Sequence, residues 1–232
     1  MVMKEGIKEP VPANSETSPD DAIFVQGMKD LVPEGGQGYE LCAEGPSYKV
    51  WKKDMKDGHV STKSTATFSD IPVEDLVTIM QNDNFRQTYE KVFCNPKSLE
   101  KLGPNTDIYY FQIDPPVMMI SKRDFVVKRT ILRNYKGTYF FVHMESIDTP
   151  LMPVQKGIVR GHVISQSRVI TPTPDGKGSI VTTSGQMDLG GNIPSWVINK
   201  NAYKGPVKSV ETIKESYPKW KKENKLAQYA GH

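Results

Sequence analysis

The sequence predicts an α+β protein in which a curved antiparallel sheet of about nine strands wraps a long C-terminal helix. Three observations predict it. Segments with the two-residue period of strands fill the chain from Asp107 to Met187. Helical spacing is confined to the beginning, to a stretch after Pro72 and to the C-terminal end, so the crossovers that would make strands parallel are scarce. Finally, the run Met187-Asp188-Leu189-Gly190-Gly191-Asn192-Ile193-Pro194-Ser195-Trp196-Val197-Ile198-Asn199 takes a strand through a Gly-Gly corner into an amphipathic segment opened by Pro194. Such a corner suits a helix folding back over a sheet.

The elements follow in order. Residues 1–18 carry few large apolar side chains and no period, and read as a flexible arm. Asp20 or Asp21 is expected to cap a short helix through Ile23, Phe24, Met28 and Leu31, stopped by Pro33 and Gly35-Gly36. Strands are expected at Tyr39–Ala43, Tyr48–Met55 and Val60–Phe68, the last two joined as a hairpin by Asp57-Gly58. Pro72 then opens a helix with Glu74 and Asp75 in its first turn and Val73, Leu76, Val77, Ile79 and Met80 for its apolar face. A second helical turn covers Asn84 to Tyr89.

Five longer strands follow: Asp107–Ile113, Asp124–Arg133, Thr138–Ile147, Ile158–Ile170 and Ser179–Met187. In the C-terminal helix Val207, Val210, Ile213 and Tyr217 keep a spacing of three to four, while Pro206 and Pro218 are expected to limit its continuity. The folded domain is assigned to residues 19–222 and a polar tail to 223–232.

Composition fits one globular domain of 232 residues, with 37 % hydrophobic and 25 % charged side chains. No apolar run approaches the roughly 20 residues of a membrane helix. The charged N-terminus resembles no signal peptide, and Val2 stands where myristoylation needs Gly. The two cysteines, Cys42 and Cys94, read as reduced thiols, and a cytoplasmic monomer is expected. A net charge of +3 does not by itself imply nucleic acid. Its distribution is uneven: residues 199–232 hold eight lysines against three acids, net +5, leaving −2 for the rest. That lysine-rich end reads either as a solvated helix face or as a peripheral contact with anionic membranes, where each cation is worth about 1 kcal/mol.

Nothing in the sequence assembles a catalytic centre. The four histidines, His59, His143, His162 and His232, stand at no metal-ligand spacing, and neither a nucleophile elbow nor a phosphate-cradling loop is present. Asp124 and Asp188 flank strand ends, where bonding backbone amides is the usual task. No metal or cofactor is expected.

Binding features are richer. Strand alternation puts Asp107, Tyr109, Phe111 and Ile113 on one face, and Phe125, Val127, Arg129 and Ile131 on one face of the next strand. It also groups Ile158, Arg160, His162, Ile164, Gln166 and Arg168. Arg129 among apolar neighbours suits a lined cavity better than a solid core, because an unpaired buried charge costs several kcal/mol. The alternative is that Arg129 and Arg160 pair with carboxylates. Between two strands, Val117, Met118, Met119 and Ile120 form an apolar loop tip after Pro115-Pro116, as suits a gate that repacks against a lipid or bilayer.

These segments resemble the START (StAR-related lipid transfer) family over roughly residues 20 to 222. Asn84-Phe85-Arg86-Gln87-Thr88-Tyr89-Glu90 is similar to the family's aromatic-Arg-x-x-Trp-Asp segment, with Tyr89 and Glu90 in the last two places. Lys122-Arg123-Asp124-Phe125-Val126 resembles its Arg-Asp-aromatic-Val strand, and Gly157-Ile158-Val159-Arg160-Gly161 its apolar-Val-Arg stretch. Ile193-Pro194-Ser195-Trp196-Val197-Ile198-Asn199 is similar to the start of its lid helix, here Ile193, Trp196 and Val197. The resemblance, nearest the phosphatidylcholine-transfer branch, implies a helix-grip fold with an internal lipid cavity. It also implies a soluble, non-catalytic carrier of one phospholipid, phosphatidylcholine or phosphatidylethanolamine, that touches membranes only transiently.

By the same resemblance Arg86 contacts the lipid phosphate, Gln166 lines the headgroup, and Phe111, Phe125 and Ile164 take the places of a choline cage. Two of those are Phe and one is not aromatic, so ethanolamine or other glycerophospholipids stay open. Transport of a sterol or other single lipid, a lipid-sensing module and a thioesterase are the competing readings. The lack of an acid firmly opposite Arg129 weighs against the sterol, and the lack of a converging water-activating group weighs against the thioesterase.

Overall fold

The computed structural model describes residues 18–31, 38–54, 59–115, 120–194, 197–198, 201 and 203–230. Helix α1 (Pro19–Asp30) is followed by strands β1 (Glu40–Gly45), β2 (Tyr48–Asp54) and β3 (His59–Phe68). Helices α2 (Val73–Gln81) and α3 (Asp83–Tyr89) come next. Then follow β4 (Phe93–Lys101), β5 (Thr106–Ile113), β6 (Arg123–Tyr135), β7 (Thr138–Ser146), β8 (Val159–Arg160), β9 (His162–Pro172) and β10 (Ser179–Asp188). Helix α4 (Lys204–Ala230) closes the chain.

The strands form one open, 10-stranded sheet in the order β1-β2-β3-β10-β9-β7-β6-β5-β4, with β8 beside β6. All pairings are antiparallel except that short one, which is parallel. The expected fold class is therefore observed, with two changes. Strand β4 was not expected; it is an edge strand containing Pro96, with two register shifts and Asn95 at φ 51°, features that hide a strand's period. The single strand expected at Ile158–Ile170 is two, separated at Gly161. A Cβ there would stand 2.4 Å from Cε1 of Phe125, so only glycine lets the chain pass that ring.

The helices divide between the two faces. On the inner face α4 and α2 close one end of the sheet: Ile213, Tyr217 and Trp220 join Leu76, Val77, Ile79, Ala66, Phe68, Phe140 and Ile170 in one buried cluster. Each of those large side chains contributes about 1.5–3 kcal/mol by leaving water. Tyr217 adds a bond, its hydroxyl donating to Asp75 at 2.7 Å. Helix α4 continues through Pro206 and Pro218, contrary to the expected interruption; packing on this cluster outweighs the lost backbone bond and ring clash at Pro218. It also runs on to Ala230, into the stretch read as a tail.

Helix α1 covers the outer face, packing Phe24 and Leu31 on Leu132, Phe141 and Val169. Its cap is Ser18, whose Oγ accepts from the Asp21 amide at 3.1 Å, not the expected aspartates. Met28 stays 37 % exposed there. Both cysteines are free, Cys42 in β1 and Cys94 in β4, at opposite ends of the strand order. Among the described residues no helix is long and apolar enough to cross a membrane.

Beneath α1, His143 is buried and its Nδ1 shares a 2.8 Å hydrogen bond with Ser167 Oγ. Burial pushes its pKa below the ordinary value, against a smaller upward pull from Glu145 and Asp30. The unfolded chain therefore takes up this proton first as pH falls, so stability drops as the pH falls through the ordinary histidine range. Urea unfolding of His143→Asn is expected to show a shallower pH dependence than the parent. Equal slopes would remove His143 as a cause.

Candidate functional site

Helix α3 presents Arg86 to the inner face because the Asn82 side chain caps it, accepting from the Phe85 amide at 3.0 Å. Four residues on, at the end of the helix, Glu90 returns to the same side. Arg86 Nε donates to Glu90 Oε2 at 2.7 Å. The guanidinium also lies on the ring of Phe93, 3.7 Å from its centroid. Phe93 packs against Phe111 at 5.8 Å, and Phe111 is stacked on Phe125 at 5.0 Å. Three of the expected residues, Arg86, Phe111 and Phe125, thus form one continuous assembly through Phe93. Phe93 escaped the sequence reading along with β4.

Strand β9 supplies the facing wall. Gln166 lies opposite Met144 of β7 and Gly185 of β10, and Arg168 opposite Val142 and Thr183, placing both side chains on the inner face. Arg168 Nε donates to Thr183 Oγ1 at 3.3 Å and has no ion pair among the described residues. The charges of Arg168, Arg86 and Glu90 act on one another. Burial opposes the charge on each of them. Glu90 outweighs burial at Arg86, which stays above its ordinary pKa, and Arg86 with Arg168 holds the Glu90 carboxyl below the usual range. At Arg168 burial dominates, Arg86 adds repulsion, and the pKa falls. The cluster holds two guanidinium groups and one carboxylate. Neighbouring Tyr89 is pushed up to about 12, chiefly by burial, and stays a neutral hydroxyl.

Heavy desolvation accompanies incomplete packing here. Arg86 and Glu90 keep 20 % and 28 % of their side-chain surface free.

Alternation on β9 fails at a bulge between Val163 and Ser165 that leaves Ile164 as the extra residue. Val163 is the side chain buried with Phe111, Phe125 and Val127, whereas Ile164 stays 38 % exposed and lies outside that buried cluster. Arg160, grouped with Gln166 by the same alternation, lies across the sheet from it. Its Nε and one terminal nitrogen donate to Asp124 at 2.8 and 3.0 Å, and Asp124 is completely buried. Asp124 therefore anchors β8 rather than backbone amides. Asp188 does serve the backbone, accepting from the Gly190 amide at 2.8 Å.

Arg129 has a carboxylate after all. Asp107 is its register partner on β5, and the guanidinium donates to both its oxygens at 2.9 and 2.8 Å while lying 3.6 Å from the Tyr109 ring centroid. The expected absence of an acid opposite Arg129 is thereby overturned. Alternation had placed each of them beside apolar residues on one face of its own strand; the register joining the two strands was not legible.

At the sheet edge, the Gly-Gly corner is observed with φ of 65° and 68° at Gly190 and Gly191. A Cβ on Gly190 would meet the Arg160 carbonyl at 2.7 Å. Ile193 and Val197 are half-buried, and Ile198 is buried. Of the expected gate, Ile120 is half-buried; Val117, Met118 and Met119, and Trp196 of the lid, lie outside the described residues. Arg123, buried behind both segments, donates to the carbonyls of Ser121 and Leu189.

An open antiparallel sheet closed at one end by a C-terminal helix, with charged groups on its inner face, defines a helix-grip protein. The START domain family model matches residues 43–221, and the chain belongs to that family. It is 24 % identical over 209 residues to human START domain-containing protein 10, spanning 89 % of this chain and 70 % of that one. It is 26 % identical over 191 residues to the phosphatidylcholine transfer protein of Bos taurus, spanning 81 % and 87 %. The crystal structure of human STARD10 superposes with a TM-score of 0.71 at 22 % identity, over 92 % of this chain and 84 % of that one. Human StAR-related lipid transfer protein 5 gives 0.73 at 17 %, over 85 % and 95 %. At those identities the superpositions speak for the fold.

Proposed function

We propose that the protein is a carrier that encloses one phospholipid and moves it between membranes without chemical change. The observation that carries this reading is the inward cluster of Arg86, Glu90 and Arg168, which holds one positive charge more than it neutralises. A guanidinium there meets phosphate oxygens through two parallel hydrogen bonds. The acyl chains supply the drive for enclosure, about 0.8 kcal/mol for each methylene removed from water. Membership of the START family, and the name of the bovine relative, bring phosphatidylcholine to this chain as a first candidate and phosphatidylethanolamine as a second.

A sterol is the alternative occupant. Asp107 opposite Arg129 removes one argument against it, but a sterol's single uncharged hydroxyl leaves the Arg86–Arg168 surplus unneutralised. That surplus supports the phospholipid.

Exchange requires an opening, assigned to residues 115–121 and to the lid from Pro194. Vesicle-to-vesicle transfer by a variant carrying Met118→Asp and Met119→Asp is expected to slow about tenfold, because each charge opposes entry of the loop into the interface. Unchanged kinetics would place the opening elsewhere.

A further inference from the structure

Within the carrier reading, on which this inference rests, we propose that the headgroup is that of an anionic phospholipid rather than a zwitterionic one, and that Arg168 is the residue that selects it. The cluster contains two cations and one anion, and Arg168 has no ion pair among the described residues. A phosphodiester bearing an uncharged or net-neutral substituent brings one negative charge and balances the cluster. Phosphatidylcholine or phosphatidylethanolamine brings the same phosphate together with an ammonium group, and the surplus persists.

That ammonium also lacks a host. Each acid nearby is engaged: Glu90 by Arg86, Asp107 by Arg129, and Asp83 by the Tyr109 hydroxyl at 2.7 Å. The aromatic rings that would receive it by cation–π attraction are engaged as well. Phe93 holds Arg86 at 3.7 Å, Tyr109 holds Arg129 at 3.6 Å, and Phe111 and Phe125 lie stacked on each other. The two rings at the expected cage positions, Phe111 and Phe125, each give one face to the other, and the protein's own guanidiniums already take a face of the neighbouring Phe93 and Tyr109 rings. The remaining expected cage position is Ile164, which has no ring.

The test incubates the purified full chain with vesicles of equimolar phosphatidylcholine and phosphatidylglycerol, re-isolates it and identifies the retained lipid by native mass spectrometry. Phosphatidylglycerol shares the phosphodiester and the chains and lacks the ammonium. The parent protein is expected to retain phosphatidylglycerol about tenfold or more over phosphatidylcholine, the scale of one charge-assisted hydrogen bond. Arg168→Leu is expected to lose that preference and Arg168→Lys to keep part of it. Equal retention, or a preference for phosphatidylcholine, in the parent protein overturns the proposal while leaving phospholipid carriage standing, and this outcome does not depend on how the variants fold. Loss of the preference in Arg168→Leu but not in a Met28→Leu control on the outer-face helix α1 supports it; a preference unchanged in folded Arg168→Leu overturns the role of Arg168. Retention of neither lipid overturns the carrier reading as well. A separate arm with inorganic phosphate separates the two sources of phosphate chemistry. Thermal stabilisation by phosphate with no lipid retained overturns both.

Discussion

Arg86→Ala lowers vesicle-to-vesicle phospholipid transfer by about tenfold to a hundredfold while leaving the protein folded, the span of a lost hydrogen bond to a charged group. The expectation rests on Arg86 standing on the inner face of α3 with 20 % of its side-chain surface free to meet a ligand. The fold survives because Glu90 is neither sealed off nor abandoned: it keeps 28 % of its side-chain surface, and the Arg168 charge still acts on it. Arg86→Lys separates charge from geometry, because an ammonium keeps the charge but not the planar fork, and it falls between the two. Circular dichroism confirms the fold of each variant before transfer is measured. Parent-like transfer by folded Arg86→Ala would remove Arg86 from the site.

Arg160→Ala produces the largest loss of stability. It strands Asp124, which is 0 % exposed, by removing both of its bonds from the guanidinium. Breaking a buried pair from one side costs about 3–5 kcal/mol, which in a chain of this size lowers the melting temperature by about 10 °C. The loss reaches function through β8, since the Gly190 corner that leads to the lid rests on the Arg160 backbone. Faster lipid loss is therefore expected to accompany the lower melting temperature. Pairing Arg160→Met with Asp124→Leu removes the stranded charge and recovers most of the stability. If Arg160→Ala melts with the parent protein, the pair contributes nothing and the anchoring role of Asp124 is wrong.

The sequence disclosed those parts of the fold where periodicity and turn chemistry agree. The antiparallel pair β2–β3, the helix after Pro72, the Gly190-Gly191 corner and four of the five long strands are close to their observed limits, Ile158–Ile170 being the exception. It concealed β4, where Pro96 and two register shifts blur the alternation. It misplaced Arg160 because alternation was carried unbroken through Gly161 and the bulge at Ile164, and one extra residue exchanges the faces of everything beyond it. It misjudged α4 because the local cost of proline was weighed without the packing of Ile213, Tyr217 and Trp220.

The site was legible in part and for a similar reason. Arg86 stood out through its motif, and alternation put Gln166 and Arg168 on one face. What alternation does not supply is register. Only strand pairing shows that Asp107 meets Arg129, and only the tertiary fold lets the charges of Arg86 and Glu90 act on Arg168. Arg168 is the residue whose neglect mattered most. It was grouped with its neighbours by period, and nothing local distinguishes an arginine that pairs with an acid from one that waits for a ligand.

Native mass spectrometry of the protein as purified, followed by lipid identification, addresses the central claim most directly. The account predicts a stoichiometric mass increment equal to a single two-chain phospholipid, abolished or strongly reduced in Arg86→Ala. A protein that carries no lipid and cannot be loaded from phospholipid vesicles, or one that returns a sterol instead, would contradict it.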